Sequence, residues 1–266
     1  MELLGRGRTA EVFRNEDGHA LKLFFAQFPE RIARLEEHKA PIVHSLCSAA
    51  PAFYGSIQLD GRVGLLYERI DGSPLIDVQS LHGEIPDLST VARDMAKLHL
   101  KIHAAAGGQL PTMLDTFQAS IERYPHLSPA GRQRLLDFVA QNDTAQLCHG
   151  DLHPENVLRQ TDGTLRAIDW NNAYSGHPLC DLERSLYMIE HGLPPGTDEV
   201  PAAERPIRTT FAAAYRQTYY GETDRTNEEI WRLLALVGRH AENIPGECDG
   251  VEKLIAAILR THGNFS

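Results

Sequence analysis

The sequence predicts an α+β fold with two lobes, a strand-rich lobe over residues 1–70 and a mainly helical lobe over residues 71–266. Two observations carry this prediction. Short apolar stretches separated by turn residues fill the first lobe, whereas apolar residues at helical spacing dominate from Asp71 onwards. A chain of 266 residues is long enough for each lobe to bury a core of its own.

Five strands and one helix are predicted in the first lobe. The strands are separated by Gly-rich or Asp-Gly turns and lie at Leu3–Gly5, Glu11–Arg14, His19–Phe25, Ser56–Leu59 and Val63–Ile70. The helix lies around Pro29 to Leu46, and we expect Pro41 to kink or break it because proline removes a backbone donor. This order gives a five-stranded antiparallel sheet with one helix.

Helices surround one β-rich insert in the second lobe. Apolar residues at helical spacing over 88–102 predict a helix, with Ser89 or Thr90 as possible caps. Ser128-Pro129 predicts the start of another helix, because proline favours the first helical position. The insert covers 146–169, a turn-rich hinge is expected at 70–74, and further helices are predicted near 201–220, 227–241 and 250–262.

The composition is that of an ordinary soluble globular protein, with 42% hydrophobic and 23% charged residues. No apolar run approaches the roughly 18 residues of a membrane span, and the N-terminus lacks a signal-peptide pattern. The four cysteines are scattered without a CxxC pair. We therefore expect a cytoplasmic protein with no membrane association, no disulfide framework and no cysteine zinc site.

The net charge of −10 is unevenly distributed. Residues 1–70 hold nine acidic and nine basic side chains, whereas residues 71–266 hold 27 acidic and 17 basic ones. Nucleic acid is a poor partner for such a surface, because phosphate binding requires clustered Lys and Arg. The acidic excess predicts either a cation-attracting cleft or a surface that only keeps the protein soluble.

The strongest chemical signal is the segment Cys148-His-Gly-Asp-Leu-His-Pro-Glu-Asn156, followed by Ala167-Ile-Asp-Trp170. In-line phosphoryl transfer requires one carboxylate beside the attacking hydroxyl and separate oxygen ligands for Mg²⁺. Asp151 is the candidate for the first role, and Asn156 and Asp169 are the candidates for the second. The spacing D-x4-N is typical of the catalytic loop of kinases.

These segments, together with Gly176-His-Pro-Leu-Cys-Asp181-Leu, resemble the aminoglycoside phosphotransferase and choline kinase group of small-molecule kinases. That group's usual pattern is H-G-D-x-x-x-x-N, then I-D-[WFY], then G-x-P-x-x-D-[LV]. The resemblance implies a protein-kinase-like fold and a phosphotransferase with an alcohol acceptor. It also implies ATP or GTP as donor, Mg²⁺ as cofactor, and an aminoglycoside-, amino alcohol- or sugar-like acceptor.

Several residues of the first lobe match the nucleotide site of that group. Gly5 and Gly7 lie in a loop between predicted strands, although Ala10 stands where a third glycine would be. Lys22 on the third strand matches the lysine that binds the α- and β-phosphates. Its carboxylate partner is Glu36 or Glu37, and counting back from Pro51 favours Glu36. The resemblance further places the backbone of Glu68 and Ile70 against the adenine base.

Histidines and one further carboxylate are expected to support the catalytic loop. His149 and Asp181 resemble the residues that brace this loop through packing and hydrogen bonds. His99 and His103, four residues apart on one helix face, could ligate zinc. No glutamate lies between them and no third ligand is evident, so packing is favoured. Trp170 is expected to be a core residue.

Two other functions remain open for these motifs. A protein kinase shares the loop, lysine and metal groups, but only eleven residues separate Asp169 from Asp181 and no Ala-Pro-Glu follows. A non-catalytic nucleotide-binding pseudokinase is the other alternative. The sequence leaves acceptor identity and oligomeric state unknown. The acidic excess predicts a cationic acceptor, with contributors at Glu183, Glu190, Glu242 and Glu247.

Overall fold

An antiparallel five-stranded sheet forms the N-terminal lobe, as the sequence predicts. The computed structural model describes residues 1–76, 87–193, 197–221, 225–262 and 265. The sheet order is β1-β2-β3-β5-β4. The strands are β1 (Glu2–Arg6), β2 (Ala10–Arg14), β3 (Ala20–Phe24), β4 (Phe53–Leu59) and β5 (Arg62–Tyr67). Hairpin turns join β1 to β2, β2 to β3 and β4 to β5, which fixes the antiparallel pairing of those neighbours.

The helix α1 (Glu30–Leu46) packs on this sheet and continues through Pro41. Of the two predicted effects of this proline, the break is therefore wrong, and the kink stays a prediction. A proline removes one backbone hydrogen bond, but Ala40 and Val43 on either side of it are buried and hold the helix in place. The small core between helix and sheet contains Ala10, Phe24, Ala33, Val63 and Leu65.

Seven helices of the described chain build the C-terminal lobe around the larger of the two hydrophobic cores. They are α2 (Leu88–His103), α3 (Met113–Arg123), α4 (Pro129–Asn142), α5 (Pro178–His191), α6 (Arg205–Tyr220), α7 (Glu228–Ala241) and α8 (Cys248–Thr261). The sequence analysis missed α3 and α5. Helix α5 has no simple apolar stripe, because charged side chains are buried along with its leucines.

The start of α2 differs from the prediction. Asp87 caps the helix, and its carboxylate accepts hydrogen bonds from the backbone N–H groups of Ser89 (3.1 Å) and Thr90 (3.4 Å). Ser89 and Thr90 therefore lie inside the first turn and are not the caps. The predicted start of α4 at Ser128-Pro129 is confirmed. Pro129 is the first helical residue, and the Ser128 hydroxyl caps the helix by accepting from the Gly131 N–H at 3.0 Å.

Two small sheets carry the loops between α4 and α5. Strand β6 (Gly72–Pro74) pairs with β8 (Val157–Gln160), which pairs with β9 (Leu165–Ala167). Strand β7 (Gln146–Cys148) pairs with β10 (Tyr174–Gly176). Much of the predicted hinge at 70–74 is thus the strand β6. None of the helices in the described part of the chain has the length and apolar character that a bilayer span requires.

Candidate active site

A sharp turn after β7 carries Asp151. The cleft is the space between the two lobes, where Lys22 of the first lobe faces Asp169 of the second. Gly150 occupies the left-handed region with φ 78°, and a Cβ built on it would lie 2.2 Å from the Asn172 carbonyl oxygen. Only glycine fits both the backbone angle and the close approach. The side chain of Asp151 remains 19% exposed, so a ligand in the cleft can reach it.

Asp181 holds this turn from below. Its fully buried carboxylate accepts hydrogen bonds from the backbone N–H groups of His149 (2.6 Å) and Gly150 (2.9 Å). Burial alone would raise the pKa of Asp181, but hydrogen bonds from His103 and His99 outweigh it and hold the pKa well below the ordinary value. A charged, fully hydrogen-bonded carboxylate therefore fixes the backbone of the catalytic loop.

His149 connects the catalytic loop to the segment that carries Asp169. Its Nδ1 accepts from the Asp151 N–H at 3.2 Å, and its Nε2 lies 3.1 Å from the Ile168 carbonyl oxygen, to which it donates. The ring packs against Trp170, whose own indole N–H donates to the Ala167 carbonyl. Burial lowers the pKa of His149, which favours the neutral ring that these two bonds require. Trp170 is buried, as expected.

The β8–β9 hairpin brings Asn156 and Asp169 together. Val157 pairs with Ala167 at the base of the hairpin, and the Asn156 carbonyl accepts from the Ile168 N–H at 2.9 Å. Asn156 donates from Nδ2 to the Asp151 carbonyl at 2.9 Å, which leaves its Oδ1 as the amide atom for a cation. Asp169 supplies a carboxylate, so the pair offers the hard oxygen donors that Mg²⁺ prefers.

Lys22 lies between the lobes and contacts two carboxylates. Its Nζ donates to Glu36 at 2.8 and 3.0 Å and to Oδ1 of Asp169 at 2.7 Å. Burial alone would lower the pKa of Lys22, but the two carboxylates raise it above the ordinary value. Burial would likewise raise the pKa of Asp169, but Lys22 lowers it. Glu37 instead contacts Arg34 and Ser56, so the structure places Glu36 against Lys22.

The loop between β1 and β2 forms a tight turn above these groups. The Gly7 N–H donates to the Ala10 carbonyl at 2.9 Å, while Gly5 lies on exposed β1. Ala10 is 3% exposed and packs into the small core, which explains why this position carries a methyl group and not a third glycine. Arg8 extends across the cleft and donates to the Leu193 carbonyl at 3.2 Å.

Glu68, whose backbone is predicted to contact the adenine base, forms an ion pair with the second lobe. Glu68 pairs with Arg166 of β9 at 2.8 Å and accepts from the Ala52 N–H. The Glu68 N–H itself donates to the Ala52 carbonyl at 2.8 Å. A backbone hydrogen bond from Glu68 to a base would therefore use its carbonyl. Ile70 follows in the short segment between β5 and β6.

The sequence analysis missed Arg184, which lies directly beside Asp151. Arg184 is buried, donates from Nε to the Gly150 carbonyl, and places Nη2 3.3 Å from Oδ1 of Asp151. It lies one turn after Asp181 on α5, so both side chains face the catalytic loop. The spacing was visible in the sequence, but its meaning depended on recognising α5 as a helix.

His99 and His103 complete a buried network around Asp181. Both Nε2 atoms lie 3.1 Å from Oδ2 of Asp181. Both Nδ1 atoms lie 2.5 Å from tyrosine hydroxyls, His99 from Tyr215 and His103 from Tyr219. Asp181, which the sequence suggested only as a support of the catalytic loop, is the third group of this cluster. Each neutral ring can donate through Nε2 and accept at Nδ1, so these hydrogen bonds satisfy the cluster without an ion.

All four glutamates predicted to attract a cationic acceptor lie beside arginines. Glu183 accepts from Arg232 at 2.8 Å, and Glu190 lies 3.7 Å from Arg216. The other two pairs join Glu242 to Arg184 and Arg239, and Glu247 to Arg239. The acidic excess of the second lobe therefore does not appear at these positions as unpaired carboxylates.

A model of the phosphotransferase enzyme family matches residues 2–228. The chain belongs to this family. The search of curated proteins found no match to the sequence of this chain. Its fold is similar to that of a thermostable mutant of the aminoglycoside phosphotransferase APH(4)-Ia, with 16% identity, 98% of this chain and 94% of the other covered, and a TM-score of 0.62.

Two further solved structures share the fold of this phosphotransferase family member. The choline kinase LicA from Streptococcus pneumoniae is 14% identical, with 98% of this chain and 93% of that one covered and a TM-score of 0.53. The streptomycin–ATP complex of APH(2″)-IIa is 13% identical, with 97% and 90% covered and a TM-score of 0.55. At such identities the similarity establishes the kinase-like fold.

Substitution of Gly150 by alanine tests the steric constraint on the catalytic turn. Gly150→Ala should destabilise the protein much more than Gly163→Ala. Both glycines have positive φ, 78° and 85°, but a Cβ at Gly163 meets nothing within 4 Å. The left-handed backbone alone costs about 1–2 kcal/mol. Chemical denaturation measures the two losses, and equal losses would show that the contact with Asn172 imposes no constraint.

The buried network predicts a loss of stability on acidification. Burial, with His99 nearby, lowers the pKa of His103 from 6.5 to about 4. The unfolded chain then binds a proton near pH 6.5 that the folded protein binds only near pH 4, so stability falls as pH falls through this window. The contribution of His103 is on the order of 3 kcal/mol.

The measurement is the free energy of unfolding as a function of pH for the wild type and His103→Gln. The variant should lose less stability on acidification, because glutamine does not titrate. His38→Gln, which changes an exposed histidine on α1, is the matched control. Parallel curves for all three proteins would contradict the prediction.

Proposed function

We propose that this chain transfers the γ-phosphoryl group of a nucleoside triphosphate, ATP or GTP, to a hydroxyl of a small molecule. The observation that carries the proposal is the convergence of four groups on one cleft. Asp151 and Asn156 come from the catalytic loop, Asp169 follows the β8–β9 hairpin, and Lys22 reaches them from the first lobe. Phosphoryl transfer depends on positioning and on charge placed against phosphate oxygens.

Lys22 and the β1–β2 loop would bind the triphosphate. Glu36 and the Tyr67 hydroxyl, which donates to Glu36 at 2.9 Å, fix the ammonium group in the cleft. Gly5 in β1 and Gly7 in the turn that follows carry no side chains, which would let the backbone approach the phosphates closely. The carbonyl of Glu68 and the backbone of Ile70 would meet the base.

Asn156 and Asp169 would hold Mg²⁺, which neutralises charge on the phosphate oxygens when it is bound. Asp151 then orients the acceptor hydroxyl and takes its proton. The hydroxyl oxygen forms a bond to the γ-phosphorus, and the bond from that phosphorus to the bridging oxygen of the diphosphate breaks. Arg184 and His149 hold Asp151 in position, through its carboxylate and its backbone N–H respectively.

A small acceptor is favoured over a protein by the segment after Asp169. It forms one short turn and the strand β10, and α5 begins at Pro178. Such a segment is too short to provide the extended surface on which protein kinases hold a peptide. The presence of the candidate base and both candidate metal ligands argues against the pseudokinase alternative.

Asp151→Asn should lower kcat by about 10²–10⁴, the usual contribution of a general base. Nucleotide affinity should stay within a few fold of wild type, because the carboxylate faces the acceptor. Single-turnover kinetics and nucleotide titration measure the two quantities. The control is Asp162→Asn, which changes an exposed carboxylate at the tip of the β8–β9 turn. Near-normal turnover in Asp151→Asn would overturn the assignment of Asp151.

Asp169→Asn should remove the effect of Mg²⁺ on nucleotide binding. Without Mg²⁺ the variant should bind nucleotide at least as well as wild type, because Lys22 loses its 2.7 Å contact with a charged carboxylate. Calorimetric titrations with and without Mg²⁺ give the affinity ratio. Asp151→Asn serves as the control, since it should lose activity while retaining that ratio. An unchanged ratio in Asp169→Asn would remove Asp169 as a ligand.

A further inference from the structure

Two buried arginines share one carboxylate beside Asp151. Arg184 on α5 places Nη1 2.5 Å from Oε1 of Glu242, and Arg239 on α7 places Nη1 2.7 Å from Oε2 of the same group. The arginine side chains are 8% and 3% exposed, whereas Glu242 is 34% exposed. Each oxygen of Glu242 thus accepts from one guanidinium and keeps a lone pair for a ligand.

Arg184, Arg239, Glu242 and Glu247 form a charged cluster beside Asp151, called the wall below. The carboxylate of Glu247, the second in this wall, accepts hydrogen bonds only from protein groups. Arg239 donates to Glu247 through Nε and Nη2, both at 2.7 Å. The Tyr187 hydroxyl and the Leu193 N–H donate to it as well, each at 3.1 Å. Glu247 is only 4% exposed, so its role here is to hold Arg239 and the end of α5 in place.

The charges on this wall cancel. Asp151, Glu242 and Glu247 are matched by Arg184 and Arg239, with Arg8 4.0 Å from Glu247 at the edge of the cleft. The two arginines donate to carboxylates and to the Gly150 carbonyl through Nε and both terminal nitrogens. Asp151, Glu242 and Glu247 therefore each lie beside an arginine, and none of these three carboxylates offers a cation an unpaired charge.

Binding of an anion to this wall is also disfavoured, because the buried guanidinium groups already donate to carboxylates. Separating such a pair to bind a charged ligand would leave a buried charge uncompensated, which is strongly unfavourable. A hydroxyl imposes no such requirement. It can donate to the free lone pairs of Glu242, which the two arginines hold in a fixed orientation.

We propose that the acceptor is an uncharged polyhydroxylated compound, a neutral sugar or polyol. One hydroxyl faces Asp151 and is phosphorylated, and a second donates to Glu242. This inference rests on the phosphotransfer function proposed above and specifies the substrate class of the same site. It replaces the cationic acceptor expected from net charge, because Glu183, Glu190, Glu242 and Glu247 all lie beside arginines.

The test compares three series of acceptors matched in size: neutral sugars and polyols, the corresponding amino sugars and amino alcohols, and the corresponding sugar acids. Release of nucleoside diphosphate gives kcat/KM for each. We expect the best acceptor to be neutral and its kcat/KM to stay constant from low to physiological ionic strength. A best acceptor with a charged group, or a kcat/KM that falls with added salt, overturns the proposal.

Glu242→Gln provides the second arm. It should lower kcat/KM for the neutral acceptor about tenfold, the scale of one hydrogen bond to a charged group, mainly through KM. The wall then carries an unmatched arginine charge, so activity with sugar acids should rise relative to neutral sugars. Glu122→Gln, an exposed carboxylate of α3, is the matched control. An unchanged KM in Glu242→Gln, with wild-type melting, overturns the contact.

Asp198 lies exposed beside Gly246 and supplies a third arm. Asp198→Asn should leave the neutral acceptor unaffected, whereas loss of a preferred cationic acceptor in this variant would overturn the proposal. Calorimetric titration with Mg²⁺ and nucleotide distinguishes failure of the proposed acceptor class from failure of the proposed phosphotransfer function. Nucleotide binding with turnover of cationic acceptors alone overturns the substrate class and leaves phosphotransfer intact. Absence of nucleotide binding overturns both.

Discussion

The catalytic segment depends on the carboxylate of Asp181. Four N–H groups donate to it, two from the backbone of His149 and Gly150 and two from the rings of His99 and His103. A buried charge is tolerated only when it is fully hydrogen-bonded. The turn after β7 therefore has one favourable geometry, and that geometry directs Asp151 into the cleft. Helices α2 and α6 take part through the histidines and their tyrosine partners, so packing away from Asp151 helps to determine the position of this candidate base.

Side-chain ion pairs join the two lobes in addition to packing. Lys22 contacts Glu36 within its own lobe and Asp169 across the cleft, while Arg166 pairs with Glu68 at the joint. The contact between Lys22 and Asp169 joins the two groups that we assign to the phosphates and the metal ion. In the nucleotide complex that we propose, each of these groups would exchange this contact for one with a phosphate oxygen or the metal ion. In the free protein, the attraction between Lys22 and Asp169 holds both side chains in the positions at which they would meet the ligands.

Local signals sufficed for much of this structure. The strands and the helix α1 follow from turns and spacing. Lys22, Asp151, Asn156 and Asp169 were singled out by the order of their motifs and by resemblance to a known family, and the structure brings them close together. Glu36 was favoured over Glu37 only by counting, and the contact with Lys22 required the structure. Arg184 and the network around His103 could not be predicted, because they depend on α5 and α6, helices from different parts of the chain. Buried charges on α5 hide the apolar pattern from which such helices are recognised.

Net charge alone does not locate a cation site, for a physical reason. A sum over residues 71–266 records how many carboxylates the lobe has and not where they lie or what they contact. Arginines on α5, α6 and α7 bind the glutamates that composition offered as a cation site. The arginine cancels most of the electrostatic potential of such a carboxylate at a distance. The carboxylate oxygens still have lone pairs that can accept hydrogen bonds. Glu242, held by two arginines, is an oriented hydrogen-bond acceptor, and this is why we propose that it recognises a hydroxyl and not a cation.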